Sequence, residues 1–532
     1  MKIAAPLNSG LRPKLQRLEL AAFFQIPGFQ IVGLPSREIA EARERVRAAI
    51  EASGLEFPKK RLVLNLSPAD VQKRGTGVDL AIALEICKCA LNDAPKLSKK
   101  SPDNLLAVAW GELGLDGRVK PVGQITRALY AAWMERAHLL ILPQATAGEA
   151  LAACELIKKS GRFGHRAPRL AFVENLSEAV AALQIESTDS VDKTIASPAL
   201  ECPKSTELPP PPLLPLSPSL ERAMLVSTTG RHHLLLLGPR GVGKSQAIEW
   251  VAQLQAILPN SPSQALDRML LAELSPSPGN PGLPTFRRVG PHVRPPALLG
   301  SISSAGVLPG EFTLAHGGFL VADEFPEWAR DSRECLREPL ERGKVMVTRV
   351  RQSEELPARF TFIGTGNYCP CGGLPREIPM PEGKRTSACE CTAGVRQAYW
   401  NRLSGPVMDR IDVLAQLTHW HQPPANRLPD GAATWARLSD HIRGAQARLL
   451  ERYGKLPGEM DGIETEIIIR EHATLGTALE TGTENPRSRH KLARIALTLA
   501  ALSPREELPG PAHVAEARYH RMRPLSERRD LR

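Results

Sequence analysis

An α/β chain of three folded parts is predicted: an N-terminal α+β domain, a P-loop α/β core and a C-terminal helical lid. Three observations carry this. Residues 238–245 read Gly-Pro-Arg-Gly-Val-Gly-Lys-Ser between an apolar run and a helix-like segment. A proline cluster, Pro209 to Pro212 with Pro215 and Pro218, interrupts the chain before them. From about residue 425 onward the apolar spacing is helical throughout.

The N-terminal part mixes strands and helices. Residues 29–34 read as a strand, residues 36–53 as a helix stopped by Gly54, residues 61–66 as an alternating strand, and residues 79–89 as a buried helix. Residues 107–111 and 118–122 read as a strand pair around the turn Leu115-Asp116-Gly117. The polar, then Pro-rich, stretch 186–217 reads as a linker, because proline runs are extended and join neither helices nor central strands. Beyond it, strands and helices alternate to about residue 420, as in a parallel sheet with flanking helices. Helical patterns follow at 433–452, 465–475, 489–502 and 513–522. The boundaries expected are 1–185, 186–217, 218–422, 423–522 and a basic tail at 523–532.

The 532 residues exceed one ordinary core. No apolar run is long enough to span a bilayer, and the N-terminus lacks a signal-peptide core, so a cytoplasmic location is expected. Nine cysteines fit reduced thiols or a metal site better than a disulfide framework. The net charge of +11 favours an anionic partner such as nucleic acid, although a merely basic soluble protein accounts for it equally well.

Residues 238–245 match G-x-x-x-x-G-K-[S/T] at every fixed position. Gly238, Gly241 and Gly243 let the backbone wrap so that its N–H groups face phosphate oxygens at a helix N-terminus. Lys244 is placed for the β- and γ-phosphates and Ser245 for Mg²⁺. The buried run 319–322 delivers Asp323 and Glu324 at its end. Asp323 suits Mg²⁺, and Glu324 suits a base that orients and deprotonates the attacking water. A second apolar strand ends at Asn367, at the tip where a polar group can hold that water, although Asn also favours turns.

Arg410, in Asp409-Arg410-Ile411-Asp412, suits a finger on a nucleotide held by the next subunit, or a surface ion pair with Asp409 or Asp412. Arg487 opens a C-terminal helix, where it reaches back to the phosphates or lies on a solvated basic face. Cys369, Cys371, Cys389 and Cys391 form two C-x-C pairs separated by 17 residues. Four thiolates bind Zn²⁺ tetrahedrally, but C-x-C is tighter than the usual C-x-x-C, so free or structural thiols are the alternative.

Taken together, these residues resemble the ComM/YifB-type, magnesium-chelatase-like AAA+ ATPases. In the N-terminal domain the resemblance rests on residues 31–35, 41–47, 63–70, 77–84 and 111–117. In the core it rests on 309–311, 314–316, 323–327, 337–341, 369–372 and 404–412, and in the lid on 490–496 and 513–517. It implies an N-terminal domain similar to the Lon protease domain, an AAA+ motor using ATP and Mg²⁺, and rings taken as hexamers. It also implies a motor on single-stranded or branched DNA, with helicase or branch-migration activity in transformation or recombination. Asn367 then becomes sensor 1, Arg410 a trans-acting finger and Arg487 sensor 2. The chain departs from the family pattern in lacking a Gly-Gln segment within 216–231 and in carrying Arg240 in its P-loop.

Other readings remain open at this stage. A chelatase-type ATPase that remodels a protein partner fits the motor, but no partner-binding integrin-like domain is present. Peptidase activity is disfavoured, because residues 73–79 carry Thr76 and no Ser nucleophile. A nucleotide-gated scaffold would have no need of Glu324.

Overall fold

The structure, a computed structural model, describes residues 1–7, 13–33, 37–67, 76–92, 105–184, 218–256, 261–274, 285–303, 306–349, 352–376, 378, 388–403, 405–418, 431–480, 485–503 and 508–521. The expected linker at 186–217 and basic tail at 523–532 lie outside them.

The first 184 residues build a mixed seven-stranded sheet. Its strands lie in the order Gly28–Val32, Arg61–Ser67, Lys14–Phe23, Lys2–Leu7, Leu106–Ala109, Leu139–Pro143 and Arg169–Val173. Helices Arg37–Ala52, Asp79–Asn92 and Ile125–Met134 cover it, and their apolar faces close one core. The expected strand pair at 107–111 and 118–122 is corrected. Leu106–Ala109 is apolar throughout and pairs in parallel inside the large sheet, with Lys2–Leu7 on one side and Leu139–Pro143 on the other. A run without polar alternation belongs where both faces are covered. The small hairpin is instead Glu112–Leu113 against Val119–Lys120.

The P-loop core is a five-stranded parallel sheet in the order Phe286–Val289, Phe319–Ala322, Thr361–Gly366, Leu234–Leu237, Val413–Gln416. Leu234–Leu237 is paired on both edges and all four leucines are fully buried. Burying each contributes about 2 kcal/mol. Strand alternation sends Leu234 and Leu236 into a core shared with the C-terminal helices, at Leu438, Ile442, Ile495 and Val514. Leu235 and Leu237 face Phe325, Trp328, Phe362 and the hairpin Lys344–Arg349/Gln352–Pro357.

Helices Gly431–Tyr453, Gly462–Glu471, Ala473–Glu480, Pro486–Ala501 and Pro511–Tyr519 form the C-terminal part. The helix expected at 465–475 is two helices, broken at His472, whose backbone leaves the helical region.

Helix Pro262–Ala272 joins the halves of the chain. Leu266 and Leu270 enter the N-terminal core. Asp267 pairs with Arg162 at 2.5 Å. Just beyond the helix, the Glu273 carboxylate accepts from the backbone N–H groups of Thr126 and Arg127 at 2.9 and 3.0 Å. These open helix Ile125–Met134, so an anion from the core caps the positive end of a helix in the N-terminal domain.

Candidate functional site

Because the core strands run parallel, everything that follows a strand lies at one edge of the sheet and everything that precedes a strand lies at the other. Residues 238–245 follow Leu237, Asp323 and Glu324 follow Ala322, and Asn367 follows Gly366. The register therefore brings these three segments together.

In the P-loop, Gly241 and Gly243 adopt φ of +76° and +87°, where a side chain would be strained. Lys244 opens helix Lys244–Ala256, and Ser245 is exposed in its first turn. The Lys244 Nζ donates to the carbonyls of Gly238 and Pro239 at 2.6 and 2.7 Å and to Asn367 Oδ1 at 3.1 Å. The Gly238 N–H donates to the Gly366 carbonyl at 3.1 Å. Burial pushes the Lys244 ammonium down to about 8; the Glu324 charge opposes this and Arg240 reinforces it.

Asp323 Oδ2 accepts from Arg288 Nε at 2.5 Å, and its Oδ1 accepts from Thr365 Oγ1 at 3.3 Å. The Glu324 N–H donates to the same hydroxyl at 3.0 Å. Glu324 is exposed and has a φ of +48°, a left-handed conformation unfavourable for a residue with a Cβ. Such conformations cost about 1 kcal/mol or more and cluster at functional sites. One hydroxyl thus holds the Asp323 carboxylate and the Glu324 backbone. Arg288 and Thr365 were not singled out in the sequence. Thr365 lies two residues before Asn367 on the same strand tip, and Arg288 falls opposite Val321 in the adjacent strand.

Arg410 and Arg487 lie at the opposite edge. Asp412 and Val413 N–H groups donate to the His233 carbonyl, just before Leu234. Arg410 is 8% exposed; it donates to the Pro406 carbonyl at 2.7 Å and pairs with Glu341. Arg487 Nη2 reaches the other oxygen of Glu341 at 3.0 Å. The expected partners of Arg410, Asp409 and Asp412, are replaced by Glu341. Asp412 instead pairs with Lys491 at 2.7 Å and accepts from the His233 N–H at 3.0 Å. Arg487 therefore stands with Arg410 and not beside Lys244. A cavity of about 330 Å³ lined by Asp409, Asn485, Pro486, Arg487 and Ser488 opens next to it. Glu341 lay inside a stretch noted only for resemblance; its pairing with residues 69 and 146 positions away leaves no local signal.

The four cysteines of the two C-x-C pairs converge, with their sulfurs all within 4.8 Å of one another. Cys87 and Cys154 are buried core thiols; Cys202 lies outside the described residues. Among the described residues no helix is long and apolar enough to cross a membrane.

Two outcomes follow from this geometry. A phosphate held by Lys244 needs its charged form, so any nucleotide affinity of this loop is expected to be full below about pH 8 and lost as the pH rises through that value. Titration with a fluorescent nucleotide at constant ionic strength should show a loss of about tenfold between pH 7 and 9; a flat profile to pH 9.5 contradicts it. Glu324→Gln should keep nucleotide affinity within about twofold and lower turnover at least 100-fold, whereas Lys244→Ala should lose the affinity itself. Wild-type turnover in either variant refutes the site.

The family model described as "Magnesium chelatase, subunit ChlI" matches residues 217–424, and "Subunit ChlI of Mg-chelatase" matches residues 19–146. The chain is 28% identical over 526 residues to the competence protein ComM of Haemophilus influenzae, covering 97% of this chain and 96% of that one. It is 30% identical over 452 residues to YifB of Salmonella typhimurium, covering 83% and 80%. To YifB of Escherichia coli it is 29% identical over 516 residues, covering 93% and 92%. With a parallel P-loop sheet, helices around it and relatives that match along most of its length, the chain belongs to the ComM/YifB-type, magnesium-chelatase-like AAA+ family.

Proposed function

We propose that the protein is an ATP-hydrolysing ring motor acting on DNA, single-stranded or branched, as a helicase or branch-migration enzyme. The observation that carries the ring is the division of the site. Lys244, Ser245, Asp323, Glu324 and Asn367 stand at one edge of the sheet, and Arg410 and Arg487 at the other. A strand of four residues separates the edges by about 13 Å, so the arginines are poorly placed for their own P-loop and well placed for that of a neighbouring copy. Repetition of such a head-to-tail contact closes a ring, read here as a hexamer.

In this reading the backbone N–H groups of the P-loop and Lys244 hold the β- and γ-phosphates of ATP. Ser245 and Asp323 would hold Mg²⁺, which would supply charge neutralisation at the phosphate oxygens. Arg288, half-exposed at 46%, swings off Asp323. Glu324 takes the proton of the attacking water, Asn367 orients that water, and the neighbour's Arg410 and Arg487 stabilise the departing charge once released from Glu341.

The N-terminal domain supports a nucleic-acid partner. At the tip between strands Lys14–Phe23 and Gly28–Val32, Phe24 is 90% exposed, with the Lys60 ammonium 4.3 Å from its ring centre. Lys59 and Arg61 adjoin Lys60 in the chain, and Arg61 donates to Gln25 at 3.2 Å. An exposed ring among cations suits stacking on a base beside its phosphates. The Lon-like resemblance of this domain supports a platform, not a peptidase: Thr76 bonds Glu112 at 2.5 Å, and buried Asp79 is held by Arg45 at 2.8 Å.

Turnover should rise at least severalfold with single-stranded or four-way-junction DNA. The double variant Phe24→Ala/Lys60→Ala should weaken single-strand affinity by about tenfold with DNA-free turnover unchanged. Turnover indifferent to every DNA, and raised instead by a protein partner, favours the chelatase-type remodeller. Arg410→Ala should bind ATP normally and lose turnover by about 10³-fold in the assembled ring; unchanged turnover removes its role.

A further inference from the structure

We propose that Cys369, Cys371, Cys389 and Cys391 hold one zinc ion, and that the metal-bound knuckle is the support that fixes the P-loop, so that nucleotide affinity depends on the metal. The proposal rests on the P-loop reading of residues 238–245 and is independent of DNA.

The donor set fits zinc. Four thiolates about 2.3 Å from a tetrahedral zinc lie about 3.8 Å apart, and the four sulfurs already fall within 4.8 Å. Four donors leave no open coordination position, which is the pattern of a structural site. The backbone around them is folded to match. The Gly373 N–H donates to the Cys371 sulfur at 3.3 Å, the kind of outer bond that orients a metal thiolate. The Cys389 N–H donates to the Leu374 carbonyl at 2.8 Å, drawing the second pair of cysteines against the first.

The knuckle grips the nucleotide loop from two sides. The Gly372 carbonyl, next to Cys371, accepts from the Arg240 N–H at 3.0 Å, in the middle of the P-loop. Gly372 has a φ of +79°, which strains any residue with a Cβ, and a Cβ there would fall 2.5 Å from Arg240 Nε and displace that side chain. On the other side, Asn367, which bonds Lys244, stands two residues before Cys369. Between them Tyr368 is fully buried, and its carbonyl accepts from Trp400 Nε1 at 3.1 Å. Metal coordination ties this turn to Cys389 and Cys391, across the 17 residues that separate the two pairs, and binding energy at such a site is spent on ordering the chain that carries the ligands. Loss of the metal frees the turn that the P-loop leans on.

The test measures metal and nucleotide separately. Metal content of the purified full-length protein is determined by elemental analysis, and Co²⁺ is substituted to read its thiolate absorption. Affinity for a fluorescent ATP analogue, without DNA, is measured before stripping with a thiol-directed mercurial and chelator, after stripping, and after return of Zn²⁺. Circular dichroism follows folding. The expected result is about one zinc per chain, a loss of affinity of about fivefold or more on stripping, as for one lost backbone hydrogen bond, and recovery with Zn²⁺. Gly372→Ala should keep its zinc and show a similar loss, which tests the contact between this turn and the P-loop separately from the metal. A protein that neither carries zinc nor takes up Co²⁺ overturns the metal site. Unchanged affinity in the folded, stripped protein, or in Gly372→Ala, overturns the coupling. Failure of the zinc-loaded wild type to bind the analogue refutes the P-loop reading itself.

Discussion

The parallel register of five short strands is the constraint on which the rest depends. Leu234 sits opposite Ile363 on one side and Val413 on the other, and Leu237 opposite Gly366 and Gln416. A slip of one residue sends every side chain of a strand to the opposite face and so into the other core. With all four leucines buried between two cores, the register is held at both faces. The arrangement of the site follows from that: residues 238–245, the acids and Asn367 at one edge, and the Arg410–Glu341–Arg487 cluster at the other. The second edge is organised by a charge buried with its partners. Burial opposes ionisation of Asp412, but Lys491 and the two neighbouring histidines outweigh it and hold its carboxyl far below the usual range. The same burial pushes Lys491 down to about 8 and His232 and His233 down to about 4. Removing one partner from such a group leaves an uncompensated charge, which is more costly than the pair is stabilising.

The P-loop, the acidic pair and Asn367 were legible in the sequence because each is a local pattern: an apolar strand followed at once by its functional residue. The helices were legible for the same reason, through spacing. What escaped was set by pairings between distant positions. Leu106–Ala109 carries strand character but nothing that names its neighbours, Lys2–Leu7 and Leu139–Pro143, which are remote along the chain. Glu341 joins Arg410 and Arg487 across the fold, and no spacing rule reaches it. Thr365 is an ordinary strand residue until the neighbouring strand delivers Asp323 and Glu324 to its hydroxyl. The break at His472 is a single residue inside continuous apolar spacing, and only the packing of two short helices reveals it.

The structure also shows how the ends of the chain are tied to the site. Glu273 caps a helix of the N-terminal domain, while Asp267, on the helix just before it, bonds Arg162 of that domain and lies 3.5 Å from His316 of the core. From the other end, helix Pro486–Ala501 carries both Arg487 and Lys491, one turn apart, so the lid cannot move without disturbing the cluster at Glu341 and Asp412.

The central claim is that one copy of the chain holds only part of a hydrolytic site. The most direct measurement is ATP turnover per subunit as the protein is diluted, with the assembly state followed in the same samples by light scattering or mass photometry. The account predicts that turnover collapses as the assembly dissociates into single chains, while those chains still bind ATP. Undiminished turnover per subunit in demonstrably single chains would contradict it.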